Sequence, residues 1–224
     1  MRRELRHERG LENLRARVRS RLRRQAADLA HDQTHLDRVW RNVRQLAAHE
    51  EARLGLELDG DLLEAATLLH DVGRGAEQTR ETTSEASARI AEELLRLEGL
   101  PDLVWPVCEM VLSHGHGDDR EPSSAEAKVL ADADALDALG AIGIARAFLT
   151  GAANGIPGLY HPTDPGASDR PLDENAWVID GFPAKLLHLA ERMHTESGRA
   201  EAARRTRVMR GFYEALVRDA VVAG

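Results

Sequence analysis

The sequence has few of the residues that mark secreted, disulfide-bonded or membrane-spanning proteins. Its 224 residues include one cysteine, Cys108, which excludes an internal disulfide framework and fits a reducing compartment. No apolar run approaches the roughly 18–20 residues of a membrane span, and no signal-like apolar segment follows the basic N-terminus. These absences predict a cytoplasmic protein without a membrane partner.

Aromatic residues are also scarce, at 4% of the chain, whereas charged residues make up 30%. Ala, Leu, Glu and Arg dominate, and these residues favour helices. The periodicity of the apolar residues predicts an all-α fold with one core. The predicted helices cover about 11–29, 34–53, 62–72, 84–98, 101–114, 123–149 (kinked at Gly140 or Gly143), 183–196 and 199–221.

The N-terminal 24 residues differ in charge from the rest of the chain. They hold ten Arg and three Glu, although the whole chain has a net charge of −8. An Arg-rich start is one sign of nucleic-acid binding. However, Leu11, Leu14, Val18 and Leu22 are spaced as on one helix face, which places the arginines on the solvated face. We therefore predict an Arg-rich arm over 1–24, frayed over 1–10, and regard nucleic acid as the less favoured partner.

Residues 151–181 form the one long segment without helical periodicity. The segment holds five glycines and four prolines, together with Tyr160 and Trp177. Long irregular loops in compact domains are usually lids, binding loops or mobile segments. We predict that this loop borders or covers a ligand pocket.

Two metal-ligating side chains stand next to each other at the end of an apolar run, LLEAATLLHDVG (62–73). Burying the His70 imidazole and the Asp71 carboxylate is costly unless something compensates them, and a divalent cation would do so. His35 and Asp132 are the other candidate ligands. Their spacing does not force the four together, and Asp132, Asp134 and Asp137 also fit a solvated acidic helix face.

The pattern H…HD…D resembles the HD superfamily of metal-dependent phosphohydrolases, in particular its small, single-domain YedJ-like bacterial branch. The resemblance extends over about 25–215, which we take as the HD domain, with 216–224 as a C-terminal tail. It implies a helical bundle with a metal site at its centre. The matching segments are AHDQTHLDRVW (30–40), LLHDVGR (68–74), VLSH (111–114), AKVLADADALDALGAIGIARAF (127–148) and RPLDENAWVIDGFPAKLLHLAERMHTESGR (170–199).

The resemblance implies a role for each matched residue. His35, His70, Asp71 and Asp132 would bind one divalent cation, for which two imidazoles and two carboxylates suit Mn²⁺, Mg²⁺, Co²⁺ or Ni²⁺. The catalytic residues would be Asp71, through the metal, and His114, as proton donor or phosphate contact. Apart from the resemblance, Asp134 and Asp137 are three residues apart and share a helix face distinct from that of Asp132, so one of them could orient a ligand or bind an arginine. Charge that develops on a phosphoryl group needs cations, and the candidates are Arg38, Arg74, Arg146 and Lys185. The alternative for Arg38 and Arg146 is neutralisation of the Asp-rich helix, and the alternative for Lys185 is a salt bridge on a helix surface.

The chain departs from the family pattern in three places. Dinuclear HD enzymes have histidines after the HD pair, but none occurs from Val72 to Ser113. This absence favours a mononuclear site. Gly181 stands where related chains often have a histidine, and His116 has no counterpart, which leaves it as a loop residue or accessory ligand.

These features predict a hydrolase for a small phosphorylated metabolite, with a nucleotide as the leading substrate. A nucleoside triphosphate pyrophosphohydrolase and a 5′-nucleotidase remain alternatives, with water activated by the metal. A non-catalytic metal- or nucleotide-binding HD module and an Arg-arm nucleic-acid binder are the functions from other classes. A homodimer is compatible with the sequence.

Overall fold

A computed structural model describes residues 2–24, 30–115 and 120–221, and within them every regular element is helical. The single exception is an isolated parallel bridge between Gly158 and Trp177. The all-α prediction is therefore confirmed. The α-helices are α1 (Arg2–Arg24), α2 (Gln33–Leu54), α3 (Gly60–Leu69), α4 (Thr83–Leu97), α5 (Val104–Ser113), α6 (Ala125–Asp137), α7 (Gly140–Ala153), α8 (Gly181–Ala184) and α9 (Glu196–Ala220). Short 3₁₀ helices cover Pro101–Leu103, Val178–Asp180 and Leu186–Arg192.

Side-chain caps determine where several of these helices begin. Asp32 accepts a hydrogen bond from the backbone at the start of α2, and Asp59 does so for α3. Thr82 and Glu85 form a reciprocal capping box at the start of α4. Gly55 ends α2 in the left-handed conformation (φ 67°), which glycine adopts without steric cost.

The chain divides into two compact units, Met1–Asp134 and Ala135–Gly224. In the first unit, α3 packs against α1, α2, α4 and α5. Its Leu63, Ala65, Ala66 and Leu69 are all buried, so α3 is a central helix of this unit. A fully buried leucine side chain contributes about 1.5–3 kcal/mol, which makes this packing a main source of the unit's stability.

Helix α1 is part of the packed body, in contrast to the frayed start predicted for residues 1–10. It begins at Arg2, and Leu11, Leu14 and Val18 are at most 3% exposed. The imidazole of His7 lies 3.0 Å from an Asp61 carboxylate oxygen and 2.9 Å from one of Asp102. Residues 25–29, which the first predicted helix included, lie outside the described residues.

The second unit is built on α7, α9 and the segment before α9. Helix α9 packs against α7 and against the 3₁₀ helix Leu186–Arg192. Phe182 is fully buried, and its ring centroid lies 6.0 Å from that of Phe148 and 5.9 Å from that of Phe212. The helix predicted at 183–196 is thus replaced by α8 and a 3₁₀ helix, and α9 continues into the predicted 216–224 tail as far as Ala220.

The predicted kink in the helix over 123–149 is a complete break. Helix α6 ends at Asp137, and α7 begins at Gly140, whose φ of 71° glycine adopts without steric cost. Within the described residues, no single helix is long and apolar enough to cross a membrane. Among the residues that the structure describes, α6 and α7 are long and apolar enough only when taken together, as a pair bent at the break between them.

Candidate metal centre

The His70-Asp71 pair lies in the turn that follows α3. His70 is the C-cap residue that follows α3, has the αR conformation and is 1% exposed. The turn is held against α4 by Gly73, whose backbone N–H donates to Ser87 Oγ at 3.0 Å. A Cβ at residue 73 would lie 2.2 Å from the Ser87 nitrogen, so only glycine allows this approach. Helix α4 therefore fixes the position of the turn.

His35 reaches the same place from the first turn of α2. Asp32 accepts its backbone N–H at 3.0 Å, which fixes the start of the helix, and the His35 side chain is almost completely buried. The Nε2 atoms of His35 and His70 are 3.2 Å apart. His35, His70 and Asp71 each place one ligand atom within 4.8 Å of the others.

The aspartate that approaches the imidazoles from α6 is Asp134. Its Oδ1 lies 3.6 Å from His35 Nε2 and 3.7 Å from His70 Nε2. Asp132 is fully buried but precedes Asp134 by two residues, which on an α-helix corresponds to a rotation of about 200°. The two carboxylates therefore leave α6 on opposite sides. The geometry favours Asp134 in the position that the sequence analysis gave to Asp132.

The distance between the two imidazoles, and the distances from each imidazole to the two carboxylates, fit one octahedral cation. The nitrogen–nitrogen distance is 3.2 Å, and the nitrogen–carboxylate distances are 3.6–4.0 Å. With bonds of about 2.0–2.2 Å, neighbouring ligand atoms lie about 3 Å apart and opposite ones about 4.2 Å apart. The observed distances lie between these limits, so the residues can hold a divalent ion with modest side-chain adjustment.

Two histidines at the site have their tautomers fixed by backbone carbonyls. His70 Nδ1 lies 2.8 Å from the Thr67 oxygen, and His114 Nδ1 lies 2.7 Å from the Val111 oxygen. Because a carbonyl oxygen only accepts, each Nδ1 carries the proton and leaves Nε2 available. The ring centroid of His114 is 5.3 Å from that of His70, so His114 stands beside the ligand cluster.

The carboxylates of the cluster remain ionised in this surrounding. Burial raises the pKa of Asp71, but His70, Arg74, His114 and His31 outweigh burial and hold that pKa far below its usual range. Burial likewise raises the pKa of Asp134, and the nearby imidazoles lower it overall. A cation site needs ionised carboxylates, and these two satisfy that requirement.

The four predicted phosphate-binding cations fall in both units. In the first unit, Arg74 bonds the Asp71 carboxylate at 3.2–3.4 Å, and Arg38 donates to Thr34 Oγ1 at 2.9 Å. In the second unit, Arg146 lies 3.0 Å from Asp137, and Lys185 pairs with Glu174. Asp137 thus binds an arginine, one of the roles that the sequence predicted for it or Asp134.

His31 is a residue of the site that the sequence analysis did not single out. Its ring centroid lies 5.5 Å from that of His35, and its charge lowers the pKa of Asp71. The only signal for it was its place in the same segment as His35, AHDQTHLDRVW. His116, the other unassigned histidine, lies outside the described residues.

Comparison with known proteins connects this site to a family. The family model described as HD domain matches residues 33–139, which include His35, the His70-Asp71 pair and Asp134. The Bacillus subtilis protein YpgQ is 30% identical over 191 residues, which cover 84% of each chain.

Solved structures extend the similarity over almost the whole chain. A HD-superfamily hydrolase from Bacillus thuringiensis is 30% identical with a TM-score of 0.68, over 95% of this chain and 97% of that one. Bacillus subtilis YpgQ in complex with ADP is 27% identical with a TM-score of 0.64, over 94% of this chain and 96% of that one.

Proposed function

The chain belongs to the HD-domain family of metal-dependent phosphohydrolases, and we propose that it hydrolyses a phosphoester or phosphoanhydride bond of a nucleotide. The observation that carries the proposal is the convergence of His35, His70 and Asp71, whose ligand atoms lie within 4.8 Å of one another. Asp134 Oδ1 lies 3.6–3.7 Å from both imidazoles. We assign His35, His70, Asp71 and Asp134 as the ligands. Asp134 takes the place that the sequence analysis gave to Asp132.

The donor set indicates which ions the site would accept. Two imidazole nitrogens and two carboxylate oxygens suit Mn²⁺, Mg²⁺, Co²⁺ or Ni²⁺, and we propose Mn²⁺ as the first ion to test. When bound, such an ion polarises a phosphoryl oxygen and lowers the pKa of the attacking water. The protein's part is to hold the ligands in place, which the His70 contact with the Thr67 carbonyl and the His35 cap by Asp32 accomplish.

His114 is our candidate for proton transfer or phosphate contact. Its Nδ1 proton is committed to the Val111 carbonyl, so the neutral ring offers Nε2 as a proton acceptor. The protonated ring would instead donate to a phosphoryl oxygen. General acid–base groups of this kind contribute about 10²–10⁴ in rate.

Arg74 and Arg38 are the candidate phosphate contacts in the first unit. The Arg74 side chain is 40% exposed and bonds Asp71, so it stands at the edge of the ligand cluster. Charge that develops on a phosphoryl group is stabilised by such fixed cations. Arg38 lies one turn after His35 on α2, and its link to Thr34 keeps it on the same face.

A nucleotide substrate is supported by the relative whose structure contains ADP. The similarity to that protein covers 94% of this chain. We propose that this chain binds nucleotides as well, and that it acts either as a nucleoside triphosphate pyrophosphohydrolase or as a 5′-nucleotidase. The released product distinguishes the two: pyrophosphate for the first and orthophosphate for the second.

The proposal is tested by product release from a panel of nucleoside mono-, di- and triphosphates. Each reaction contains EDTA, Mg²⁺, Mn²⁺, Co²⁺ or Ni²⁺, and wild type is compared with Asp71→Ala. We expect metal-dependent release by wild type only. Glu214→Gln, an exposed change on α9, is the control and should match wild type.

The competing function is a non-catalytic HD module that binds a metal or a nucleotide. It predicts that the wild-type protein takes up one ion and yet releases no product from any nucleotide with any of the metals. Intact metal ligands are expected for either function, so the release of product is what separates them. The same panel decides between the two functions.

The Arg-arm alternative is weakened by the pairing of α1 with the body. Arg6 contacts Asp102, Arg15 contacts Glu64, and Arg17 contacts Glu98. Arginines held in this way have less charge to offer a phosphate backbone. We propose a small-molecule substrate, a cytoplasmic location and no nucleic-acid partner, and a homodimer remains a hypothesis for solution measurement.

A further inference from the structure

The second unit contains a cavity of about 530 Å³. Its walls come from α7, from the turn that holds Glu174 and Asn175, and from the segment that begins at Gly181. Cavities of about 300–1,000 Å³ are typical of small-molecule sites. All of these residues lie in Ala135–Gly224, so the cavity can be considered without the metal ligands.

Two cations line the cavity, and they are held in different ways. Arg146 lies 3.0 Å from Asp137, and both side chains are largely buried, at 13% and 2% exposed. This pair is a fixed part of the wall, because removing either charge would strand the other in the interior. Lys185 pairs with Glu174, but both are exposed, at 68% and 36%. Exposed pairs of this kind are weak and are exchanged easily.

The backbone that carries Glu174 is firmly anchored. The preceding residue, Asp173, accepts the backbone N–H groups of Asn175 and Ala176, and donates its own to Asp180. Asp180 is buried and binds Arg170 through both carboxylate oxygens. Glu174 can therefore leave Lys185 by a side-chain rotation alone, without movement of the turn.

The rest of the lining suits a small organic molecule that carries an anionic group. Asn154 and Asn175 bring amides, which donate and accept, and Ile156 and Val178 bring apolar surface. Gly181 enlarges the space: its φ is −64°, and a Cβ there would have nothing within 4 Å. The backbone does not require glycine at 181, so a larger side chain could be accommodated and would reduce the volume.

We propose that this cavity binds the phosphate-bearing part of a nucleoside monophosphate or a similar organic phosphate, with Lys185 as the phosphate contact. In the ligand-free protein the Glu174 carboxylate pairs with the Lys185 ammonium group, and the phosphate of the ligand displaces this carboxylate. The choice of a nucleotide rests on the proposed function, whereas the exchange of one anion for another at Lys185 rests on the geometry of the cavity. Glu174 thereby lowers the affinity for anions and selects ligands that carry enough negative charge to compete.

The test is calorimetric titration of AMP into the full chain in EDTA, which removes any contribution of metal chemistry. We expect Glu174→Gln to tighten AMP binding by about threefold to tenfold, since the competing charge is gone. Lys185→Met should weaken it by about tenfold or more. Glu214→Gln removes an equal charge outside the cavity lining and should leave the affinity unchanged.

A second variant tests whether AMP occupies this cavity. Gly181→Leu places a side chain in the open space beside Gly181 and should weaken AMP binding about tenfold or more, with circular dichroism unchanged. Affinity that is unaltered in Gly181→Leu would overturn the location. Absence of metal-free AMP binding, or a Glu174→Gln variant that binds no tighter than wild type, would overturn the exchange. None of these results bears on the proposed metal-dependent hydrolysis, which the nucleotide panel measures separately.

Discussion

The Nδ1 atom of His70 lies 2.8 Å from the carbonyl oxygen of Thr67, three residues earlier in α3. His114 makes the same contact with Val111 at the end of α5, at 2.7 Å. Each helix therefore ends in a histidine whose own last turn fixes its tautomer and ring direction. In both rings Nε2 remains available. We assign it to metal binding in His70 and to proton transfer or phosphate contact in His114.

The assignment of Asp134 predicts unequal effects of two neighbouring substitutions. Asp134→Asn should lower Mn²⁺ affinity by at least about tenfold, because even the loss of a group behind a ligand costs 10–100-fold. Asp132→Asn should keep the metal affinity close to wild type. Calorimetric titration of Mn²⁺ into the three proteins measures this. If Asp132→Asn loses the ion and Asp134→Asn keeps it, the original sequence prediction is correct.

His114→Gln should separate chemistry from metal binding. Glutamine retains polarity but transfers no proton, so kcat should fall by about 10²–10⁴ while the Mn²⁺ affinity stays within a few-fold of wild type. Single-turnover kinetics with metal content measured on the same sample check the prediction. An unchanged kcat would remove His114 from the mechanism.

Gly73→Ala should disturb the turn that carries Asp71. The new methyl group would overlap backbone atoms of Ala86 and Ser87. These atoms belong to helix α4 and cannot move aside as a flexible side chain could. We expect both lower metal affinity and a loss of about 1–3 kcal/mol in unfolding free energy. Gly60→Ala is the matched control, because a Cβ at 60 meets nothing within 4 Å. Equal behaviour of the two variants in urea unfolding would contradict the close contact with α4.

Leu14→Ala tests whether α1 is part of the folded body. Leu14 is fully buried, so the substitution should cost about 2–5 kcal/mol of unfolding free energy. Leu5, on the same helix, is 61% exposed, and Leu5→Ala should change the unfolding free energy by less than about 0.5 kcal/mol. Urea denaturation measures both. A separate, frayed arm would make the two substitutions equally harmless.

The Arg170–Asp180 pair should stabilise the second unit in a pH-dependent way. Burial raises the pKa of Asp180, but hydrogen bonds from Arg170 and from the Asp173 N–H lower it overall, below the ordinary value of 3.8. Its contribution is therefore complete above about pH 4 and is lost as the pH falls through the lowered folded-state pKa. Asp180→Asn should cost about 3–5 kcal/mol at pH 7, because it leaves Arg170 without its partner.

Because protonation removes the charge of Asp180, the unfolding free energies of wild type and Asp180→Asn should become more alike in acid. Urea unfolding at pH 7 and at about pH 3 measures the difference in unfolding free energy between the two proteins at each pH. Asp169→Asn, an exposed change in the same loop, serves as the control. A difference that is constant with pH, or larger in acid, would show that the pair does not act through the ionised carboxylate.

The sequence predicted the elements whose apolar residues follow one helical face. Helices α2 and α4 appear close to the predicted bounds, and the His70-Asp71 pair stands at the end of a buried helix as expected. The start of α1 was missed because its anchoring depends on distant partners: His7 contacts Asp61 and Asp102. Such pairings across the chain leave no periodic signal.

The choice between Asp132 and Asp134 could not be made from the sequence for a different reason. Helix α6 is buried on most of its surface, so its apolar residues point in no single direction. The buried ones include Val129, Leu130, Ala131, Ala133, Ala135 and Leu136. Without a polar face, the sequence does not indicate which aspartate turns toward the imidazoles. Only the position of the helix decides that.

Anomalous diffraction from crystals soaked in Mn²⁺ locates the bound ion directly. We expect a single peak about 2.0–2.3 Å from His35 Nε2, His70 Nε2 and oxygens of Asp71 and Asp134. A peak coordinated by Asp132 instead, or no peak at His35 and His70 in a protein that binds Mn²⁺ in solution, would contradict this prediction.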